Sequence, residues 1–251
     1  MNVYWLEQTE TDVPAENAWL SASEAACLEG MRFPKRRADW RLGRWTAKRA
    51  LSVCLDVPAR SPVFKRIEIR AASSGAPTVF FDNQLAALTI SLSHRAGIAA
   101  CTLALSEVEL GCDLELIEPR SDAFVDDYFT LEEQALVAHA AAADRPRLLA
   151  LLWGGKESAL KALRAGLRLD TRSVIVIPCA MSSDLKGWSE LRVRYVGDRS
   201  AEDRYPGDRV FHGWWQCADG LVRTVAGAPA PDPPIHLPIP LYDSDAPSLC
   251  G

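Results

Sequence analysis

Three short motifs follow one another along the chain: Ser91-Leu-Ser-His94, Gly111-Cys-Asp-Leu-Glu115 and Trp153-Gly-Gly-Lys-Glu-Ser-Ala-Leu-Lys161. They supply three carboxylates (Asp113, Glu115 and Glu157), one histidine (His94) and two lysines (Lys156 and Lys161). Carboxylates suit a hard cation such as magnesium, and basic side chains suit phosphate oxygens. A magnesium ion held by few carboxylates completes its shell with water and substrate phosphate. Together the motifs describe a site for handling a pyrophosphate.

Each motif also has a plainer explanation. Asp113 and Glu115 are two apart in a strand pattern, so both side chains share one face. That face holds either a cation between the acids or a solvated polar surface opposite Cys112, Leu114 and Leu116. Glu157 and Lys161 are four apart on a helix, the spacing of an ordinary surface pair worth ~0.3–0.5 kcal/mol. His94 follows Ser93 at a strand end and equally suits a loop histidine. Glu133 closes Thr130-Leu-Glu-Glu133, a capping box that accounts for it without any catalysis.

A fourth feature is basic. Residues 32–49 hold Arg32, Lys35, Arg36, Arg37, Arg41, Arg44, Lys48 and Arg49 against one acid, Asp39. Arg37, Arg41 and Arg44 recur at helical spacing. Three guanidiniums on one face repel unless an anion shares them, and arginine forks fit a phosphomonoester. The plainer alternative is a solvated helix face.

The elements that must position these residues follow from the pattern. Residues 3–6 read as a strand. Ser21-Ala-Ser-Glu24 opens a helix, and a second helix runs over 34–54. Residues 63–70 read as a strand and 73–77 as a turn; 88–93 and 98–105 pair around Arg95-Ala-Gly97. Then come a strand over 108–116, helices over 131–143 and 145–165 with Gly166 as the stop, and strands over 173–177, 191–196, 210–215 and 221–225. This strand–helices–strands order occurs roughly twice, although no residue-level repeat accompanies it. The division is 1–106, 107–226 and a proline-rich tail over 227–251, docked through Ile235, Leu237, Ile239 and Leu241.

Composition excludes several classes. The chain has 251 residues, 48% hydrophobic and 24% charged, enough to bury a real core. A formal net charge of -5 argues against a general nucleic-acid binder. Seven cysteines without a CxxC pair give neither a disulfide framework nor a zinc site. No signal peptide and no apolar run of membrane-spanning length is seen. The expectation is a cytoplasmic protein that binds neither nucleic acid nor membrane.

With these motifs in place, the chain resembles the 4′-phosphopantetheinyl transferases of the larger, Sfp-like type. That family carries Ser-x-Ser-His, then Gly-x-Asp-x-Glu, then Trp-x-x-Lys-Glu-x-x-x-Lys. Residues 91–94, 111–115 and 153–161 match in order and spacing. Lys35–Arg44 resembles the family's early basic segment and Gly75-Ala-Pro77 its Gly-x-Pro turn. Two departures stand out: Gly154-Gly155 is small for the first motif turn, and Ser73-Ser74 stand where some relatives have a lysine.

The resemblance implies an α/β (α+β) fold of two similar halves related by pseudo-two-fold symmetry, with the active site in the cleft between them. It implies that 4′-phosphopantetheine passes from coenzyme A to a serine of an apo acyl or peptidyl carrier protein, with magnesium as cofactor and adenosine 3′,5′-bisphosphate as the other product. The carrier would serve fatty-acid, polyketide or nonribosomal-peptide synthesis, and the enzyme would be a monomer. Asp113, Glu115 and Glu157 would correspond to the magnesium ligands. Ser93, His94, Lys156 and Lys161 would contact coenzyme A, and Arg36, Arg37 and Arg44 its nucleotide and 3′-phosphate. Catalysis would fall to Glu157 and Lys161, with Glu133 or a water as base. Two other functions fit fewer of the motifs: a non-catalytic coenzyme A-binding protein, and a magnesium-dependent nucleotide phosphohydrolase.

Overall fold

The computed structural model describes residues 1–179, 187–197 and 208–239. The chain forms a mixed α/β structure of two compact units. One comprises Tyr4–Glu107 and the segment from Ile235; the other comprises Met1–Val3 and Val108–Pro234.

In the first unit, β1 (Tyr4–Thr9) leads to α1 (Ala22–Glu29) and the long α2 (Pro34–Cys54). The capping box closes at Ser21, which accepts from the Glu24 amide. Pro34 opens α2 at its first turn, where the missing N–H has no partner to lose. Trp45 on α2 lies edge-on between Trp19 and Phe64, with ring centroids 5.2 and 5.5 Å away. These rings, with Leu51, Ile67, Val79 and Leu103, make the core. The strand expected over 63–70 is shorter than the pattern suggests. Val63 and Phe64 close a one-turn helix, α3 (Ser61–Phe64), that Pro62 opens at its first positions, and β2 (Ile67–Ala71) starts after it. It pairs with β3 (Pro77–Phe81), which pairs in turn with β4 (Gln84–Leu85). The hairpin β5 (Thr89–Arg95) and β6 (Ile98–Ala104) turns through Ala96 and Gly97 at φ 51° and 76°. Two such residues make the twist-matched hairpin turn.

In the second unit, β7 (Glu109–Leu116) precedes α4 (Asp122–Tyr128), α5 (Leu131–His139) and α6 (Arg145–Ala162). The strands β8 (Val174–Pro178), β9 (Ser189–Tyr195), β10 (Arg209–Ala218) and β11 (Leu221–Ala228) follow. They form one antiparallel sheet in the order β7-β11-β10-β9-β8. Leu148, Leu151, Leu152 and Leu160 of α6 are buried in the core of this unit. At Gly111 of β7 an added Cβ would stand 1.9 Å from the Ser158 carbonyl oxygen, so only glycine allows α6 to lie this close. Gly155 meets β8 the same way, 2.9 Å from Val176 Cγ1, and Gly154 faces Thr224 Oγ1 at 3.0 Å. The paired glycines are therefore contact points of helix on sheet.

The helices of the second unit differ from the pattern in three places. Helix α4 was not anticipated, although Ser121 caps it by accepting from the Phe124 amide. Helix α5 stops at His139, whose Nδ1 lies 2.7 Å from the Ala135 carbonyl one turn back, and the Ala140 amide turns to the Val137 carbonyl. Helix α6 stops at Ala162, before Gly166. Arg164 takes the left-handed conformation at φ 55°, while the amides of Arg164 and Ala165 donate to the carbonyls of Lys161 and Leu160. That bond pair is the Schellman cap, here built on arginine.

The proline-rich segment begins as structure. Gly227 and Ala228 complete β11, and β12 (Ile235–His236) adds to β1 in parallel, outside β1 in the sheet order β12-β1-β6-β5. The Leu237 amide donates to the Trp5 carbonyl, and its side chain packs against the first unit's core. Ile239 is exposed, and Leu241 lies outside the described residues. No described helix is long and apolar enough to cross a membrane.

Candidate active site

Strand β7 presents Asp113 and Glu115, and α6 lies across it. Neither acid is solvated. Asp113 is 5% and Glu115 8% exposed, because α6 and β11 flank the strand. This burial rules out the solvated polar face. Lys161 Nζ donates to Asp113 Oδ1 at 2.8 Å and to the Cys112 carbonyl at 2.9 Å. Burial opposes the charge on Lys161, but Asp113 foremost, with Cys112 and Glu157 adding to it, holds its amine above the usual lysine range. Glu157, one turn earlier, is pushed the other way. Burial first, and then the charge of Asp113, raise its carboxyl above the ordinary range, with Lys161 opposing. Two carboxylates thus face one lysine, one charge short of neutrality. Glu115 stands apart from this trio: Arg120 donates to its Oε2 at 3.0 Å and also reaches Glu118 at 3.2 Å, stacked 5.1 Å over the Phe124 ring.

Among the described residues, no three acids, histidines or cysteines converge into a ready-made metal cage. The donor chemistry nevertheless fits a magnesium ion that brings most of its own ligands. Asp113 and Glu157 are hard oxygen donors whose mutual repulsion a divalent cation relieves, and magnesium commonly takes one or two carboxylates plus substrate phosphate.

Lys156 does not join this group. It is 0% exposed and points to the far side of α6, with Nζ 2.7 Å from Glu133 Oε2 and donating to the carbonyls of Thr171 and Val174. Burial depresses its amine despite Glu133. The phosphate contact expected of Lys156 is corrected accordingly: a helix side chain one position from Glu157 projects about 100° away from it, here into the core.

Glu133 is corrected with it. Its Oε2 accepts from the Thr130 amide and hydroxyl and from Lys156, and its Oε1 accepts from the Val176 amide at 2.9 Å. It is only 2% exposed, and both of its oxygens accept hydrogen bonds from within the unit. The capping box foreseen at Thr130 is present.

The basic segment divides. Arg36 lines a pocket of about 550 Å³ with Phe33, Lys35, Asp39, Trp40 and His94. Arg36 and Lys35, the latter paired with Asp39 at 2.7 Å, stand with two aromatic side chains around one hollow, a lining that suits an anion attached to a flat ring. Ser93 is buried in β5, one residue before His94. Arg37 faces elsewhere, into a hollow of about 320 Å³ shared with Arg41, Ala15 and Asn17. Its Nη1 donates to the carbonyls of Leu28 and Met31, while Arg41 donates to those of Pro14 and Ala15. Arg44 Nε lies 4.0 Å from Glu24 Oε1, and its guanidinium stacks 4.8 Å over Trp40. Carbonyl oxygens and Glu24 thus offset part of the repulsion among these three arginines, although burial and the charge of Arg37 still depress the Arg41 guanidinium.

Sequence reasoning missed Arg120, Thr224 and the partner of Glu24. Thr224 Oγ1 lies 2.7 Å from Ser158 Oγ and backs the helix beside Asp113. An arginine five residues beyond an acid gives no signal of its own. A lysine set among apolar helix residues, as at 48 and 156, does.

Comparison with known proteins reaches the β7–α6 segment. A family model described as the 4′-phosphopantetheinyl transferase superfamily matches residues 109–198. A holo-[acyl-carrier-protein] synthase of Streptococcus agalactiae is 31% identical over 88 residues, covering 35% of this chain and 74% of that protein. A 4′-phosphopantetheinyl transferase, AcpT, of Salmonella typhimurium is 34% identical over 154 residues, covering 59% of this chain and 69% of that one.

Proposed function

The chain belongs to the 4′-phosphopantetheinyl transferase superfamily, and we propose that it transfers 4′-phosphopantetheine from coenzyme A to a serine of an apo acyl or peptidyl carrier protein. The other product would be adenosine 3′,5′-bisphosphate. The observation that carries this reading is the Asp113–Glu157–Lys161 cluster, in which two partly desolvated carboxylates share one lysine inside the matched segment. The first unit, with its own sheet and basic pocket, supports the larger Sfp-like type within the family.

Asp113 and Glu157 would hold magnesium, with Glu115 nearby on β7, and the ion would supply positive charge for a pyrophosphate. Lys161, held against Asp113, places a fixed ammonium where a leaving phosphate gains negative charge. In the first unit, Arg36 and His94 would take an anionic group of coenzyme A, with Lys35 beside them and Trp40 and Phe33 against its ring. Arg44, stacked over Trp40 and 4.0 Å from Glu24, would stand behind that aromatic face. Arg37 supports the α1–α2 connection. Because two substrates must meet, holding them in register is the larger share of the work. Glu133 takes no proton in this scheme, since both its oxygens are engaged.

The test is to incubate the protein with coenzyme A, magnesium and an apo carrier and to weigh the carrier. A gain of one phosphopantetheine supports transfer. Cleaved coenzyme A with an unchanged carrier selects a phosphohydrolase. Tight binding without reaction selects a coenzyme A-binding protein.

A further inference from the structure

Glu133 and Lys156 form a buried pair that the proposed chemistry leaves unused, and the first unit contains its counterpart. Glu24 closes a capping box with Ser21, and Glu133 closes one with Thr130. Lys48 is 0% exposed on α2, with Nζ 2.5 Å from Glu24 Oε2; Lys156 is equally buried on α6 against Glu133. Each lysine also donates to two backbone carbonyls, those of Trp19 and Phe64 for Lys48 and those of Thr171 and Val174 for Lys156. Each stands near an aromatic face, Trp19 at 5.7 Å and Phe129 at 5.5 Å. The second carboxylate oxygen accepts from a strand amide, Ile69 at 3.1 Å and Val176 at 2.9 Å. These acceptor–strand pairs are separated by 45 and 43 residues. This is the residue-level repeat that the bare sequence does not display.

We infer that Glu24–Lys48 and Glu133–Lys156 are duplicated positioning clamps, each fixing the rotation of the helix that carries its unit's functional side chains. A helix that lies on a sheet through apolar contacts alone can rotate and slide. A buried ammonium held by one carboxylate and two carbonyls has a single satisfied geometry, and any rotation strands a charge in the core. On α6 the clamp is one residue from Glu157 and five from Lys161; on α2 it is four residues from Arg44. Glu24 Oε1 also lies 4.0 Å from Arg44 Nε, within ion-pair range. The inference rests on the proposed transfer for its kinetic consequences but not for its structural ones.

The experiment compares Glu133→Gln, Lys156→Met and the double variant in the full chain, by amide hydrogen exchange over residues 145–162 and by transfer kinetics. Lys156→Met should speed exchange in α6 by at least ~10-fold, because Glu133 is left charged and unpartnered, and the double variant should restore most of the protection. Transfer should follow the same order, with the double variant recovering. If Lys156→Met yields no folded protein, Glu133→Gln and the double variant decide. The kinetic signature separates positioning from mere stability. Loosening α6 should raise the magnesium requirement and spare the KM for coenzyme A; Glu24→Gln/Lys48→Met, loosening α2, should do the reverse. Both constants unmoved, or moved alike, would overturn the positioning role. So would a ~10²–10⁴-fold loss of turnover in both Glu133→Gln and the double variant with exchange unchanged, the result expected of a general base. The exchange arm needs neither coenzyme A nor carrier, so a failed clamp and a failed transferase give different results.

Discussion

Lys161 Nζ sits 2.8 Å from Asp113 Oδ1, so the third motif's last lysine is joined directly to the second motif's first acid. Glu157 completes the trio with a carboxyl held above its ordinary range by burial and by Asp113. A carboxyl raised in the folded state binds its proton more tightly there than in the unfolded chain. Its contribution to stability is therefore lost as pH rises from the ordinary glutamate range through the folded value. Glu157→Gln should make the magnesium-free protein more resistant to heat at neutral pH and flatten that pH dependence, while transfer disappears. Thermal melts across pH without magnesium check this; a melt lowered at neutral pH would contradict it.

The two lysines of α6 should part company under mutation. Lys161→Ala leaves Asp113 and Glu157 facing each other, so added magnesium should recover much of the lost stability. Lys156→Ala leaves Glu133 buried and charged, and magnesium should recover none of it. Breaking a buried pair from one side costs about 3–5 kcal/mol. Urea titrations with and without magnesium separate the two.

In the first unit, Arg36→Ala and His94→Ala should weaken coenzyme A more than its 3′-dephospho form if their pocket takes the 3′-phosphate. Arg37→Ala should instead lower stability by loosening the Leu28 and Met31 carbonyls. It should change the affinity of both ligands alike. Calorimetric titration of each variant with both ligands gives the comparison.

Glycines give a purely steric prediction. Gly111→Ala drives a methyl group into the Ser158 backbone at 1.9 Å and should cost at least the ~1–3 kcal/mol of overpacking. Gly43, inside α2 with nothing within 4 Å of an added Cβ, should accept alanine with a gain of ~0.5–1 kcal/mol. Urea midpoints of the two variants should move in opposite directions.

Much of the frame was legible because local signals mark it. Pro34 fixes the start of α2, Thr130 and Ser21 declare their capping boxes, and the Ala96-Gly97 turn sets the β5–β6 hairpin. The end of α6 was misread because Gly166 is the obvious stop, whereas Arg164 takes the left-handed position. The motif residues were legible as residue types but not in their directions. Lys156 and Lys161 are two lysines of one helix, and only the sheet beneath and α5 beside it decide which faces Asp113 and which enters the core. The clamp role of Glu133 was hidden for the same reason: its capping box is local, while Lys156 and the Val176 amide come from distant segments.

The most direct test of the account is the mass of an apo carrier protein after incubation with coenzyme A and magnesium, using the native chain and a folded Asp113→Ala variant in parallel. The account predicts one phosphopantetheine added per carrier by the native chain and almost none by the variant. A carrier left unmodified by the native chain, or modified at the native rate by Asp113→Ala, would contradict it.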